Sequence, residues 1–284
     1  MPTQTENPLP NASHIGRVAL TVASLDDVVP FYRDVLGLSV SRDGARARVH
    51  TDERTLLVLS EDPDAPARPD ATAGLFHVAI RVPDRGSLGD VLVRSRRAGD
   101  EQFSGASDHV VSEALYFRDP EGNGVEVYRD RSRESWPRTD EGVSMETRPL
   151  DRSALVEAAA GRDALPPVTD VGHVHLEVTD LDQAEAFYVD EVGFDVMSRY
   201  GDDATFVAAG GYHHHLGLNV WNHRTEPASD TCGLDWFEVV VPDAEDVESV
   251  ERRLTGRLSR IETGDGIEAT DSAGIVVRFV PGAN

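Results

Sequence analysis

The chain has 284 residues, 39% of them hydrophobic, which is long for one small domain and comfortable for two. Asp and Glu number 51 against 27 basic residues, a net charge of -24, and such a surface repels nucleic-acid phosphates and anionic lipid, which excludes both as partners. No stretch approaches the ~20 apolar residues of a membrane span, and the polar Met1–Ser13 segment has no signal core, so a cytoplasmic location is expected.

Every basic residue is arginine, and the acidic residues are spread along the chain rather than gathered in a tail. A lysine-free, carboxylate-rich surface suits a salt-rich cytosol, where screening removes self-repulsion, so a halophilic host is expected. The lone cysteine, Cys232, has no internal partner for a disulfide and is given no role.

Taken in chain order, the sequence repeats itself. Residues 16–40 read GRVALTVASLDDVVPFYRDVLGLSV, and residues 172–196, GHVHLEVTDLDQAEAFYVDEVGFDV, align with them without a gap. Each begins with an alternating strand (Val18, Leu20, Val22; Val174, Leu176, Val178). A helix follows, with Ser24 or Asp180 as N-cap, an aromatic pair (Phe31-Tyr32; Phe187-Tyr188) and a glycine at the C′ position (Gly37; Gly193). Residues 74–84, GLFHVAIRVPD, match 233–243, GLDWFEVVVPD, and their units close on the hairpins DPEGNGVEVY from Asp119 and DSAGIVVRFV from Asp271. Four βαβββ modules are therefore expected, at 14–66, 74–130, 169–225 and 233–284. They group as domains 1–130 and 169–284, joined by a linker, 131–168, that holds a helix-like run from Ser153 to Ala160.

The FY-bearing helix, the closing DPEGNGVE strand, and the runs GGYHHHLGLN (210–219) and DHVVSEALYFRDPEGNGVE (108–126) resemble the vicinal oxygen chelate superfamily. That superfamily includes glyoxalase I, extradiol dioxygenases and bleomycin-resistance proteins, and the resemblance is nearest to its two-domain catechol-2,3-dioxygenase-like, glyoxalase-family members. It covers nearly the whole chain. It implies an α+β fold in which modules pair into two cup-shaped mixed β-sheet barrels. The second run nearly satisfies the extradiol pattern through His109, Tyr116, Asp119-Pro120 and Glu126, and departs from it at Ser107. The fold hosts several chemistries, so the reaction must be read from the site.

In the family, the first strand of one module supplies a His ligand, and its partner module supplies a second His and a Glu. Two imidazoles and one carboxylate leave positions open for substrate and oxygen, as non-haem Fe(II) requires. Modules 1 and 2 offer Arg17, His77 and Glu126; modules 3 and 4 offer His173, Trp236 and Arg278. Neither sequential pair makes a triad, but modules 3 and 2 together do, with His77, Glu126 and His173 as metal ligands. The expected pairing is therefore crossed, module 1 with 4 and module 2 with 3. The rival is sequential pairing with an incomplete metal site.

Each assignment has a bland counterpart. His77 in GLFHVAI is a satisfied core histidine, unless Glu126, in an otherwise apolar strand, is its partner. His173 and His175 alternate in phase and share a face, so His175 is an open alternative as ligand. The run His213-His214-His215 is a solvated turn or a functional tract. The resemblance to the extradiol H-H-S-L run puts His214 at an acid/base position, where a histidine can take and return a catecholic proton. The pattern's active-site His and Tyr fall on His109 and Tyr116, although Tyr116 also reads as an ordinary strand aromatic. The resemblance implies a metal-dependent extradiol-type ring-cleaving dioxygenase. It would use Fe(II), with Mn(II) sharing the same ligand chemistry, and act on O2 and a catechol- or hydroquinone-like small aromatic; a homodimer is open. The alternatives are a glyoxalase-type isomerase or lyase, which needs a second carboxylate that HLGLNVW lacks, and a non-enzymatic binding protein of the resistance type.

Overall fold

A computed structural model describes residues 7–139, 142–254, 258–261 and 266–282. Each module follows the βαβββ order. Module 1 is β1 (His14–Val22), α1 (Leu25–Pro30), β2 (Ser39–Asp43), β3 (Arg46–His50) and β4 (Thr55–Glu61). Module 2 is β5 (Gly74–Arg81), α2 (Arg85–Arg97), β6 (Phe103–Asp108), β7 (Ser112–Arg118) and β8 (Gly124–Asp130). The connecting segment carries β9 (Arg138–Thr139), β10 (Gly142–Val143), β11 (Arg148–Pro149) and the helix α3 (Arg152–Glu157). Module 3 is β12 (Asp170–Glu177), α4 (Leu181–Glu185), β13 (Asp195–Tyr200), β14 (Ala204–Ala208) and β15 (Leu216–Asn219). Module 4 is β16 (Gly233–Val241), α5 (Ala244–Arg253), β17 (Leu258–Arg260), β18 (Ile267–Thr270) and β19 (Val276–Pro281).

The pairing is crossed. One sheet runs β17-β18-β19-β16-β1-β4-β3-β2 and joins modules 4 and 1; the other runs β11-β6-β7-β8-β5-β12-β15-β14-β13 and joins modules 2 and 3. The joints are antiparallel pairs of first strands, β1 with β16 and β5 with β12. Within every module the first strand pairs in parallel with the closing strand. Neither sheet closes into a barrel by hydrogen bonding: each order has two free ends among the described residues, so the expected barrels are two open mixed sheets.

Alternation decides which face is core. Val18, Leu20 and Val22 of β1, Val78 and Ile80 of β5, Val125 and Val127 of β8 and Val174 and Leu176 of β12 are all buried in one apolar cluster. Burial of each such side chain contributes roughly 1.5–3 kcal/mol. Their in-between neighbours, Arg17, His77, Glu126 and His173, line the opposite faces.

The helices behave as their caps dictate. Ser24 and Asp180 accept from Asp27 N and Gln183 N. Gly193 ends its helix at φ 102°, and Gly37 follows the other at φ 78°, a conformation that L side chains rarely adopt. Past α1 and α4 the backbone widens, with Leu36 N donating to Phe31 O and Gly193 N to Tyr188 O, five residues back. The widened turns carry Tyr32 and Tyr188, both fully buried. Tyr32 Oη donates to Asp119 at 3.0 Å and Tyr188 Oη to Asp271 at 2.9 Å. Each bond runs from a helix of one sheet to the closing turn of the other and ties the two sheets together.

Candidate metal centre and pocket

The register across β8, β5 and β12 assembles the centre. Glu126 stands beside Ala79, and Ala79 stands opposite His173. The small Ala79 side chain leaves the space between these two ligand candidates free. His77, two residues along β5 on the same face, stands opposite His175. All four polar side chains are buried. Glu126 Oε2 lies 2.9 Å from His77 Nε2 and 3.2 Å from His173 Nε2. His77 Nε2, though close to this carboxylate, has no hydrogen-bond partner of good geometry. His175 comes into the same cluster, its nitrogen within 4.8 Å of those of His77 and His173, and its ring stacks on that of His77 at 4.2 Å. Gly217 makes room for it: a Cβ there would meet the His175 ring at 2.6 Å.

Burial raises the Glu126 pKa, but the adjacent His173 and His77 imidazoles outweigh it and hold the carboxyl well below its usual range. Burial pushes the His173 imidazole down to about 4. At neutral pH the pair is therefore a carboxylate beside a neutral imidazole, the protonation state that binds a metal cation. The buried Nε2 of His77, the His173 imidazole and the Glu126 carboxylate between them are the donor types of a divalent first-row metal site. The residues fit the group.

The centre opens into a pocket of about 550 Å³. Its lining includes the aromatic Phe76, Phe206 and Trp221 and also His109 and Tyr116, whose Nε2 and Oη are 2.6 Å apart. Burial, then the Glu126 charge, raises the Tyr116 pKa well above its usual value, so the phenol keeps its proton. His214 reaches the pocket from the turn before β15. Its Nε2 is 2.9 Å from His175 Nε2, and its Nδ1 is 2.7 Å from His213 Nδ1. Burial, and next the neighbouring His173, keep its pKa well below the usual imidazole value. His213 does not line the pocket; its Nε2 meets Asp130 Oδ1 at 2.9 Å. His215 turns away, accepting from Ala209 N at Nδ1.

All six residues expected from the sequence, His77, Glu126, His173, His109, Tyr116 and His214, thus line one pocket. Sequence reasoning missed the polar shell behind them. Tyr128 and Asp130 follow Glu126 at every second residue of β8 and share its face. Tyr128 Oη meets Tyr212 Oη at 2.7 Å, and Tyr212 donates to Asp130 at 2.9 Å. The alternation in GVEVYRD was the available signal.

The glyoxalase/bleomycin resistance protein/dioxygenase superfamily model matches residues 14–127. Catechol-2,3-dioxygenase of Bacillus subtilis (strain 168) is 42% identical over 280 residues, covering 95% of each chain. Among solved structures, a candidate dioxygenase of Bacillus subtilis superposes with TM-score 0.64 at 12% identity, covering 97% of this chain and 86% of that one. Glyoxalase I of Zea mays superposes with TM-score 0.58 at 15% identity, covering 95% of this chain and 92% of that one. At these identities the two structures speak for the fold alone.

Proposed function

The chain belongs to the glyoxalase/bleomycin resistance protein/dioxygenase superfamily, and on that premise we propose that it is a metal-dependent extradiol-type dioxygenase that cleaves a catechol- or hydroquinone-like small aromatic with O2. The observation that carries this reading is the convergence of His77, Glu126 and His173 on one point at the floor of an aromatic-walled pocket. The similarity to catechol-2,3-dioxygenase supports it. When bound, Fe(II) or Mn(II) supplies an anchor for two vicinal oxygens and electron exchange with O2.

The chain's own residues do the rest. Phe76, Phe206 and Trp221 take the planar ring and exclude water. Tyr116, its proton retained, donates a hydrogen bond to a substrate oxygen, with His109 Nε2 donating to its Oη from behind. The His214 imidazole, kept neutral by burial, takes a proton from a substrate hydroxyl at Nε2, in place of its contact with His175 Nε2, and returns it. His213 and Asp130 hold its ring from behind. A glyoxalase-type reaction needs a second carboxylate from β15, and that strand, Leu216–Asn219, is Leu-Gly-Leu-Asn with Asn219 donating to Leu176 O.

Elemental analysis of purified wild type, Glu126→Ala and His173→Ala tests the reading. The expected result is about one Fe or Mn per wild-type chain and loss of the metal in either variant, followed by O2 uptake with a catechol panel. A wild type that stays metal-free after anaerobic reconstitution would overturn it.

A further inference from the structure

The sheet of modules 1 and 4 has a concave face of its own, and a pocket of about 670 Å³ opens there. Its floor repeats the register of the metal centre with different residues. Arg17 stands where His173 does, Trp236 where His77 does, and Arg278 where Glu126 does. Ala79 is replaced by Glu238, which fills the central space and accepts from Arg17 Nε at 2.9 Å and from Arg17 N at 3.0 Å. The Arg278 guanidinium lies 4.0 Å from the centre of the Trp236 ring, stacked on it, while its Nε donates to Glu268 at 2.8 Å. The metal donors are gone, and two guanidinium groups and an indole stand in their place.

Two more arginines, Arg46 and Arg48, point into the pocket from alternate positions of β3. Neither makes an ion pair or a side-chain hydrogen bond among the described residues, whereas Arg17 and Arg278 each have a carboxylate. The fifth lining arginine, Arg42, is engaged by Asp26 and Glu61. The lining carboxylates are Asp43 and Glu238. With Arg17, Arg42 and Arg278 each matched by a carboxylate, the pocket's unengaged cations are Arg46 and Arg48, with Asp43 on the lining and Asp235 near Arg46. A guanidinium fork matches a carboxylate through two parallel hydrogen bonds. Val58 and Val280 supply an apolar side wall.

We propose that this pocket is a second ligand site, specific for a small planar organic carboxylate: Arg46 and Arg48 hold the anion, and the planar body lies along Val58 and Val280 against the Arg278–Trp236 stack. An inorganic oxyanion would use the guanidinium groups and leave the apolar wall and the stack without a role. The proposal stands independently of the ring-cleavage assignment, because no residue of the metal centre takes part.

Isothermal titration calorimetry on the full chain, with benzoate and inorganic phosphate as probes at constant ionic strength, tests it. Saturable benzoate binding is expected, with phosphate at least roughly tenfold weaker. The Arg46→Ala/Arg48→Ala double variant should lose roughly tenfold or more of the benzoate affinity. Both side chains are exposed, so the variant should keep the wild-type melting temperature. A Glu126→Ala chain should bind benzoate as wild type does. Absence of benzoate binding overturns the proposal, as does binding unaffected by the double substitution. Binding lost in Glu126→Ala would move the event to the metal pocket, and phosphate binding as tight as benzoate would overturn the carboxylate class.

Discussion

His175 is where the site carries two readings at the scale of a residue. It joins His77 and His173 in one nitrogen cluster, yet its Nε2 is engaged by His214 and its Nδ1 has no partner. Glu126 lies within hydrogen-bond distance of His77 and His173, and reaches His175 through its charge alone among the described contacts. His175→Ala is therefore expected to keep its metal and lose substrate affinity, read as an unchanged metal-to-protein ratio with a raised KM. Loss of the metal would instead move His175 into the ligand set. The sequence put His173 and His175 on one face by alternation and could go no further. The choice between them depends on which one stands across Ala79 from Glu126, and that is a matter of register.

The closing turns decide behaviour at the scale of an element. In module 4, Asp271 accepts from Ala273 N and Ile275 N at Oδ1 and from Tyr188 Oη at Oδ2. Burial pushes its carboxyl up to about 6 despite those bonds. A raised carboxyl pKa means that the folded chain holds the proton more tightly than the unfolded one. The stability this contributes is full below about pH 4 and is lost as pH rises through about 6. Asp271→Asn keeps the turn and removes the titration. Relative to that variant, wild type should lose on the order of 1–3 kcal/mol between pH 4.5 and 7 in parallel denaturant melts. A difference independent of pH would show that Asp271 is ionised throughout. The helix caps and closing turns were legible in the sequence, because Ser24, Asp180, Gly193 and Asp119-Pro120 act through their own local geometry. The widened turns behind Phe31-Tyr32 and Phe187-Tyr188 were not, because their buried tyrosines are bonded to carboxylates 87 and 83 residues away.

For the whole molecule, the crossed pairing means that each half of the chain leaves its first strands without their antiparallel partners. Cut within 131–168, neither half holds both β5 and β12, so neither should bind metal alone. Mixing the halves should restore a complex with the metal content of the intact chain, checked by size exclusion and elemental analysis. A half that binds metal by itself would point to a sequentially paired alternative fold. The net charge of -24 carries a second expectation. Self-repulsion at this density is screened over about 3 Å in molar salt against about 10 Å at 0.1 M. The melting temperature should therefore rise from low to molar KCl, and a flat profile would remove the halophilic reading. No described helix is long and apolar enough to cross a membrane.

The sequence by itself determined the four-module repeat, the caps, the turns and the division of ligand types between modules. These are written in short windows, where alternation, glycine and N-cap chemistry act over a few residues. It also carried the crossed pairing, because His173 and the pair His77 and Glu126 complete the expected ligand set together and not with their chain neighbours. Only the tertiary structure decided what stands behind and beside that set: the His214–His213–Asp130 chain, the Tyr128–Tyr212 contact, and the arginine-lined cup. Their partners lie tens to hundreds of residues apart, as with Arg17 and Glu238, 221 residues distant in the chain. No local pattern encodes such a contact; it exists once two antiparallel first strands have settled their register.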